Sequence, residues 1–350
     1  MEINQLLQIT IDRNASDIHL IPGYFPNIRI NNELFALKNL EILSDQESKR
    51  LFLSMLSEEQ KENLLANKEI DFGYDYNGCR FRVNLYHVRG VMAASFRLVP
   101  SIIKTVTDLG LPPILSEFTK YHQGLVLLTG PTGEGKSTTL ASMINEINQT
   151  SAKHIVTIED PIEFIYPMGR SIISQRELHQ DTHSFNIALR SVLREDPDIV
   201  LVGEMRDIET TQATLTIAET GHLVFSTLHT KSSPESIDRI IDIFPADQQD
   251  QIRNQLSSLL ISIVSQRLLP NIDNTGRVPA TEILINNSAV ASIIREGKSF
   301  LIDNVMETSE ASGMMIFEKS LLNLYQKGMI SKETAYGYAI RPGEIKKFIK

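Results

Sequence analysis

Gly130-Pro131-Thr132-Gly133-Glu134-Gly135-Lys136-Ser137-Thr138-Thr139 fits the G-x-x-x-x-G-K-[ST] spacing of a phosphate-binding loop. Before it, Gly124-Leu125-Val126-Leu127-Leu128-Thr129 is a short apolar run that reads as a buried strand, and Ser137 to Ile147 carries helix-compatible residues behind it. A loop in this setting turns successive backbone N–H groups inward at a helix N-terminus, where they and the helix dipole meet anionic oxygens. Glycine supplies the φ values such a turn needs. Thr132, Gly133, Glu134, Gly135, Lys136, Ser137 and Thr138 are therefore the expected contacts of a nucleoside triphosphate, with ATP and Mg2+ as cofactors. Lys136 would reach the β- and γ-phosphates as a point charge, the Ser137 hydroxyl would enter a Mg2+ shell, and Thr138 would help cradle the α- and β-phosphates. Glu134 brings a carboxylate close to those phosphates, which fits only if its side chain turns away and its N–H alone is used.

Two acid-bearing strands follow. Ile155-Val156-Thr157-Ile158-Glu159-Asp160-Pro161-Ile162-Glu163 lies between the loop and a later strand, the order found in RecA-like ATPases. There a carboxylate near the end of the extra strand orients the attacking water. Glu159, Asp160 and Glu163 are the candidates, and position alone does not choose among them. The later strand, Asp198-Ile199-Val200-Leu201-Val202-Gly203-Glu204, has the apolar-run-then-acid form of a Walker B element, with Gly203 where an aspartate is usual. Glu204 must then carry the role, acting on Mg2+ through a water. Arg190 and Arg194 stand four apart on a helix expected to start at Ser184, so both project from one face, toward a γ-phosphate or toward Glu195, Asp196 and Asp198. His222 and His229 flank the strand Leu223 to Leu228; their spacing excludes a helical metal pair, and His179 with His183 lacks the glutamate of a zinc protease helix. The strand-end histidines are either γ-phosphate sensors or satisfied core residues.

A chain of 350 residues is expected to form two domains. Its formal charge of −9 argues against a broad, sequence-independent grip on nucleic acid, which requires a positive surface. The single cysteine, Cys79, excludes an intrachain disulfide and a cysteine-ligated zinc site and fits a reducing compartment. The longest apolar run, around Leu259 to Val264, cannot span a bilayer, so a location in the cytoplasm, or at a membrane surface through partners, is expected. Residues 1–98 read as a small α/β module: strands at Asp17–Leu20, Asn27–Ile30 and Glu33–Phe35 separated by turns at Pro22-Gly23 and Asn31-Asn32, a helical stretch from Ser44 to about Leu65, then a meander from Asp71 to Leu98. Asn77-Gly78 is the chemistry of a tight type I′ hairpin. Alternation along the meander sets Arg82 and Arg97 on polar faces, where solvated strand residues are the ordinary reading. Residues 99–112, with Pro100 and Gly110-Leu111-Pro112-Pro113, read as a linker, and residues 113–285 as a nucleotide-binding core with a mostly parallel sheet. Residues 286–350 turn helical, with Gly328 as a C-cap and Ser331 as an N-cap.

The loop, Thr157 to Phe164, Leu193-Arg194-Glu195-Asp196-Pro197-Asp198 through Gly203-Glu204-Met205-Arg206-Asp207, and the His222/His229 segment closely resemble the phosphate loop, Asp box, Walker B box and His box of the secretion and pilus ATPase superfamily. Ser16-Asp17-Ile18-His19-Leu20 resembles the start of that superfamily's N-terminal PAS-like domain. Within it the chain looks most like the PilT-type retraction ATPases, which lack a long N-terminal extension and a four-cysteine zinc insertion; here Gln266-Arg267-Leu268-Leu269-Pro270 runs on to Thr281-Glu282 without a cysteine. The resemblance implies an N-terminal PAS-like α/β domain, a C-terminal RecA-like ATPase domain with a helical C-terminal portion, and a homohexameric ring that powers retraction of type IV pili. It further implies a cytoplasmic motor held at the inner membrane by a pilus platform protein, with a paralogous pilus ATPase as a further partner, no nucleic acid and no direct membrane insertion. Carried over by position, Glu163 is the catalytic base, Glu204 the Mg2+-water ligand, His222 and His229 the His-box residues, and Arg82 and Arg97 the N-terminal-domain arginines that reach a nucleotide. The retraction family's Ala-Ile-Arg-Asn-Leu-Ile-Arg-Glu appears as Ala289-Val290-Ala291-Ser292-Ile293-Ile294-Arg295-Glu296, so its first arginine is Ala291, and Glu134 stands where serine is usual. These departures point to the alternative of an accessory, weakly or non-hydrolysing paralogue ring of the pilus machine; a RecA-like nucleic-acid translocase is the third reading, which the acidic balance opposes.

Overall fold

The computed structural model describes residues 1–30, 33–99, 102–343 and Ile345. The turn expected at Asn31-Asn32 and Pro100 of the expected linker lie outside the described residues. The chain divides into two units, Met1–Ile102 with Pro161–Ile165, and Ile103–Asp160 with Tyr166–Lys350.

The first unit opens on a helix absent from the sequence reading, α1 (Ile3–Asp12), whose Ile3, Leu6, Leu7 and Thr10 fall at helical spacing and are buried on one side. Strands β1 (Asp17–Leu20), β2 (Asn27–Ile30) and β3 (Glu33–Ala36) follow, then α2 (Asp45–Leu53) and α3 (Glu58–Asn67), then β4 (Glu69–Tyr76), β5 (Cys79–Val88) and β6 (Val91–Leu98). The single helical stretch expected from Ser44 is two helices, because Ser44 caps the first and Ser57 starts the second with a capping box to Gln60. All six strands form one antiparallel sheet in the order β3-β2-β1-β6-β5-β4. Asn77 and Gly78 take φ of 50° and 72°, the left-handed pair a type I′ turn requires. Phe52, Phe72, Phe81, Val83, Leu85 and Phe96 fill the core on one face.

The second unit contains α4 (Ile114–Phe118), β7 (Gly124–Thr129), α5 (Lys136–Thr150), β8 (His154–Glu159), β9 (Ile172–Glu177), α6 (Phe185–Val192), β10 (Ile199–Val202), α7 (Ile208–Glu219) and β11 (Leu223–Leu228). It continues with α8 (Ser233–Asp242), α9 (Gln249–Leu259), β12 (Leu260–Pro270), β13 (Arg277–Ile285), α10 (Ser288–Arg295), α11 (Ile302–Thr308), α12 (Phe317–Gln326) and α13 (Lys332–Tyr338). Its seven strands are ordered β13-β12-β7-β11-β10-β8-β9, parallel throughout except for the antiparallel β12–β13 pair at one edge. Alternate residues of the central strands feed two cores. Leu125, Leu127, Val156, Ile158, Val200 and Val224 face one, while Val126, Leu128, Ile155, Leu201, Leu223 and Phe225 face the other, as a sheet covered on both sides requires. Behind the hairpin, Leu269 and Ala280 pack with Phe317, Leu321 and Ala335 of the C-terminal helices. Gly328 ends α12 with φ of 69°, its N–H bonded to Tyr325 O and that of Met329 to Leu324 O, and Ser331 caps α13 through the Thr334 N–H.

Candidate functional site

Parallel strands β7, β8, β10 and β11 end together at Thr129, Glu159, Val202 and Leu228, the sheet edge where open α/β folds bind ligands. The loop leaving Thr129 has Gly130, Gly133 and Gly135 at φ of 139°, 82° and 81°. At Gly130 the backbone also leaves no room: a Cβ would sit 2.4 Å from the Gln266 carbonyl oxygen. Gly135 is the left-handed residue immediately before α5, so the N–H groups of the first turn open toward the loop. Lys136 is buried along this loop and its ammonium donates to the carbonyls of Gly130 and Pro131 at 2.7 and 2.9 Å. Thr132 and Gly133 are exposed, and Ser137 and Thr138 half-buried. The Glu134 carboxylate is turned to β12, where it accepts from the Leu268 N–H.

The Walker B strand explains its own glycine. Gly203 N–H donates to the Ile158 carbonyl at 2.9 Å, and a Cβ at Gly203 would stand 3.2 Å from that same oxygen, so the close approach of β8 opposes a larger residue. Glu204 is the next residue. Its Oε2 faces His229 Nε2 at 3.1 Å, and its Oε1 is paired with Arg206 Nε. Burial holds His229 below the usual histidine range, and the positive charges of Lys136 and Arg206 add to this. Lys136, Glu204, Arg206 and His229 thus share one electrostatic neighbourhood at the loop. His222 is not brought there: it stands at the opposite end of β11, about 23 Å away at the rise of a strand, with Nδ1 facing Ile217 O at 3.0 Å and Thr220 Oγ1 at 3.1 Å.

Glu159 is tethered by Thr157 Oγ1 at 2.7 Å and Gln175 Nε2 at 3.3 Å. Asp160 and Glu163 are exposed, and Glu163 belongs to the Pro161–Ile165 segment that groups with the first unit. The helix carrying Arg190 ends at Val192, so Arg194 lies beyond its C-cap instead of on its face, and donates to the Arg190 carbonyl at 3.2 Å. Neither arginine forms an ion pair with a described acid; Glu195 is taken by Arg176 at 2.7 Å and Asp198 by Lys153 at 2.8 Å. In the first unit Arg82 and Arg97 are exposed cross-strand partners. Arg97 Nε donates to Asp17 Oδ1 at 2.9 Å, and the buried Asp17 also has Arg29 Nε at 3.9 Å. Its chain-level neighbour Ser16 was visible in the sequence, but nothing there paired Asp17 with an arginine 80 positions away.

A profile of the type II/IV secretion system protein family matches residues 62–337. The chain belongs to that family. It is 47% identical over 311 residues to a "twitching motility protein" of Neisseria gonorrhoeae, covering 89% of this chain and 83% of the relative. It is 43% identical over 336 residues to the "type IV pilus retractation ATPase PilT" of Pseudomonas aeruginosa, covering 96% and 97%. A crystal structure of the pilus retraction motor PilT with bound ADP superposes with a TM-score of 0.92 at 44% identity, covering 99% of each chain. The two-part α/β architecture agrees with that likeness, an N-terminal domain followed by an ATPase domain.

In this type II/IV secretion system protein no group of three or more His, Cys, Asp or Glu side chains among the described residues could hold a metal ion. The oxygen donors at the loop are few, the half-buried Ser137 hydroxyl and the Glu204 carboxylate, which lies between His229 and Arg206. That set fits Mg2+, which keeps several waters and shares substrate phosphates, and does not fit a metal that demands a full protein cage. The sequence reading gave no role to the buried Gln266 behind the loop, which bridges Glu134 and Thr139. No spacing signals a partner more than a hundred positions away.

Proposed function

We propose that this chain is a Mg2+-dependent ATPase motor that couples ATP hydrolysis to retraction of type IV pili. The observation that carries the reading is the loop itself: three left-handed glycines, a helix N-terminus and the buried Lys136 converge with Glu204 and His229 at the ends of the parallel strands. The likeness along both full chains to a retraction motor that binds ADP supports it. In this reading the loop N–H groups and Lys136 grip the phosphates, and Ser137 and, through water, Glu204 would hold Mg2+, which when bound draws charge from the phosphate oxygens. Glu163 acts as base toward the attacking water, His229 responds to the γ-phosphate, and Arg82 and Arg97 carry the nucleotide-reaching role of the family's N-terminal-domain arginines. His222 keeps only its place in the family's His box, since it stands at the far end of β11, and Arg190 and Arg194, read from helical spacing alone, take no role at the loop. The working form is a homohexamer at a pilus platform protein on the cytoplasmic side of the inner membrane. No helix among the described residues is long and apolar enough to cross a membrane.

A second reading, an accessory ring beside a separate motor, draws on Ala291 of α10 and on 36% identity over 351 residues to the "type IV pilus ATPase PilU" of Pseudomonas aeruginosa. Purified protein is expected to hydrolyse ATP. Glu163→Gln should still bind ADP and lose turnover, and Lys136→Ala should weaken ADP binding about 10- to 100-fold, the range a charge-assisted hydrogen bond supports. Wild-type turnover no greater than that of Lys136→Ala would favour the accessory ring, and unchanged turnover in Glu163→Gln would remove Glu163 as the base.

A further inference from the structure

Strand β12 runs beside β7 as far as the pair Ser265 and Thr129. One residue later β7 has become the phosphate loop, so the next stretch of β12 meets a glycine-rich turn where it would otherwise meet a strand. Gln266 fills this junction. It is buried, donates from Nε2 to the Glu134 carbonyl at 2.8 Å, and accepts at Oε1 from the Thr139 hydroxyl at 2.8 Å. One side-chain amide therefore ties the last loop peptide to the first turn of α5, with both its ends satisfied. The glycines accommodate it: at Gly135 a Cβ would lie 2.9 Å from Gln266 Nε2, and at Gly130 it would strike the Gln266 carbonyl. Two neighbouring contacts brace the same loop from the hairpin, Leu268 N–H to the Glu134 carboxylate and Arg277 Nη1 to the Gly133 carbonyl at 3.2 Å.

We propose that Gln266 is a positioning residue for nucleotide binding, holding the phosphate loop and the start of α5 in the one arrangement that aims their N–H groups at a common point. The inference rests on the ATPase reading of the loop. Three glycines make this segment costly to order, and a buried amide that has already fixed it spares the ligand that cost. The effect should therefore fall on binding. Once phosphates fill the loop they order it themselves, and turnover at saturation should change little.

The test measures ADP dissociation constants by titration and ATP turnover in parallel, on the full chain. Gln266→Met keeps the length of the side chain and removes both bonds. ADP binding and the KM for ATP should weaken about tenfold, as expected for losing buried hydrogen bonds, with kcat within about threefold. Thr139→Val should weaken binding in the same way and Thr139→Ser should restore it. The double variant Gln266→Met with Thr139→Val should bind more tightly than the product of the single effects, since both remove one shared bond. ADP affinity within twofold of wild type in a folded Gln266→Met protein would overturn the proposal, as would fully multiplicative effects. If Gln266→Met does not fold, Thr139→Val and Thr139→Ser decide, and equal weakening by both would also overturn it. Wild-type protein that binds no ADP would remove the ATPase reading and this inference together; binding lost in Lys136→Ala but kept in Gln266→Met would remove this inference alone.

Discussion

The Glu134 carboxylate accepts from the Leu268 N–H, which β12 exposes once β7 has ended at Thr129. A side chain that would otherwise add negative charge beside phosphates instead completes a strand edge, and the loop retains the Glu134 N–H for an anion. Glu134→Ser should accordingly change ADP affinity by less than about fivefold, because a partly exposed, screened charge acts with under about 1 kcal/mol. Tightening by more than tenfold in an ADP titration would show that the carboxylate opposes the phosphates after all. Gly203 makes a similar point about space. Its place beside the Ile158 carbonyl, and not any backbone strain, accounts for a glycine where an aspartate is usual, and leaves Glu204 as the acid next to His229.

The hairpin of β12 and β13 does more than close the sheet edge. On β13 the buried Glu282 accepts from the Ser233 N–H at 2.7 Å and the Ser233 hydroxyl at 2.8 Å, at the start of α8. Burial pushes its carboxyl up to about 7, and the nearby Asp303 and Glu318 add to the rise while the Ser233 bonds oppose it. Arg341 offsets part of this acidity, pairing with Asp303 and Glu307 and donating its N–H to Glu318 at 2.7 Å. A folded-state value above the unfolded 4.5 means that the native state holds a proton the unfolded chain releases. The stabilisation is complete below about 4.5 and is lost as pH rises through about 7. Glu282→Gln removes this titration, so the wild type should lose stability relative to the variant between pH 5 and pH 8, by on the order of a few kcal/mol. Thermal melts of both proteins at the two pH values check this; parallel behaviour would mean that Glu282 is not the titrating group.

Each unit has a core of its own, Phe52, Phe81 and Phe96 in the first and the two faces of the seven-stranded sheet in the second. Unfolding should therefore depart from a single two-state transition. Calorimetry is expected to show two, and saturating ADP should raise the one belonging to the unit that holds Lys136, because a ligand stabilises the fold that binds it, by about 2.7 kcal/mol at a hundred times the dissociation constant. Lys136→Ala should abolish that rise. A single transition that ADP leaves unmoved would contradict both the independence of the cores and the assignment of the loop.

Much of this molecule was legible along the chain because short-range physics sets it. The loop's glycines, the Asn77-Gly78 turn, the Ser184 and Ser331 caps and the Gly328 stop are each decided by a few dihedral angles and the hydrogen bonds of adjacent residues. The family, too, follows from motifs whose spacing is local. Other features depend on which strands become neighbours, and no periodicity carries that information. Helix α6 stops short of Arg194, β13 returns along β12 as an antiparallel edge, Gln266 meets Thr139 across 127 positions and Asp17 meets Arg97 across 80. The strand order of the finished sheets is what brings such pairs together, which is why the phosphate loop could be read from ten consecutive residues and its brace could not.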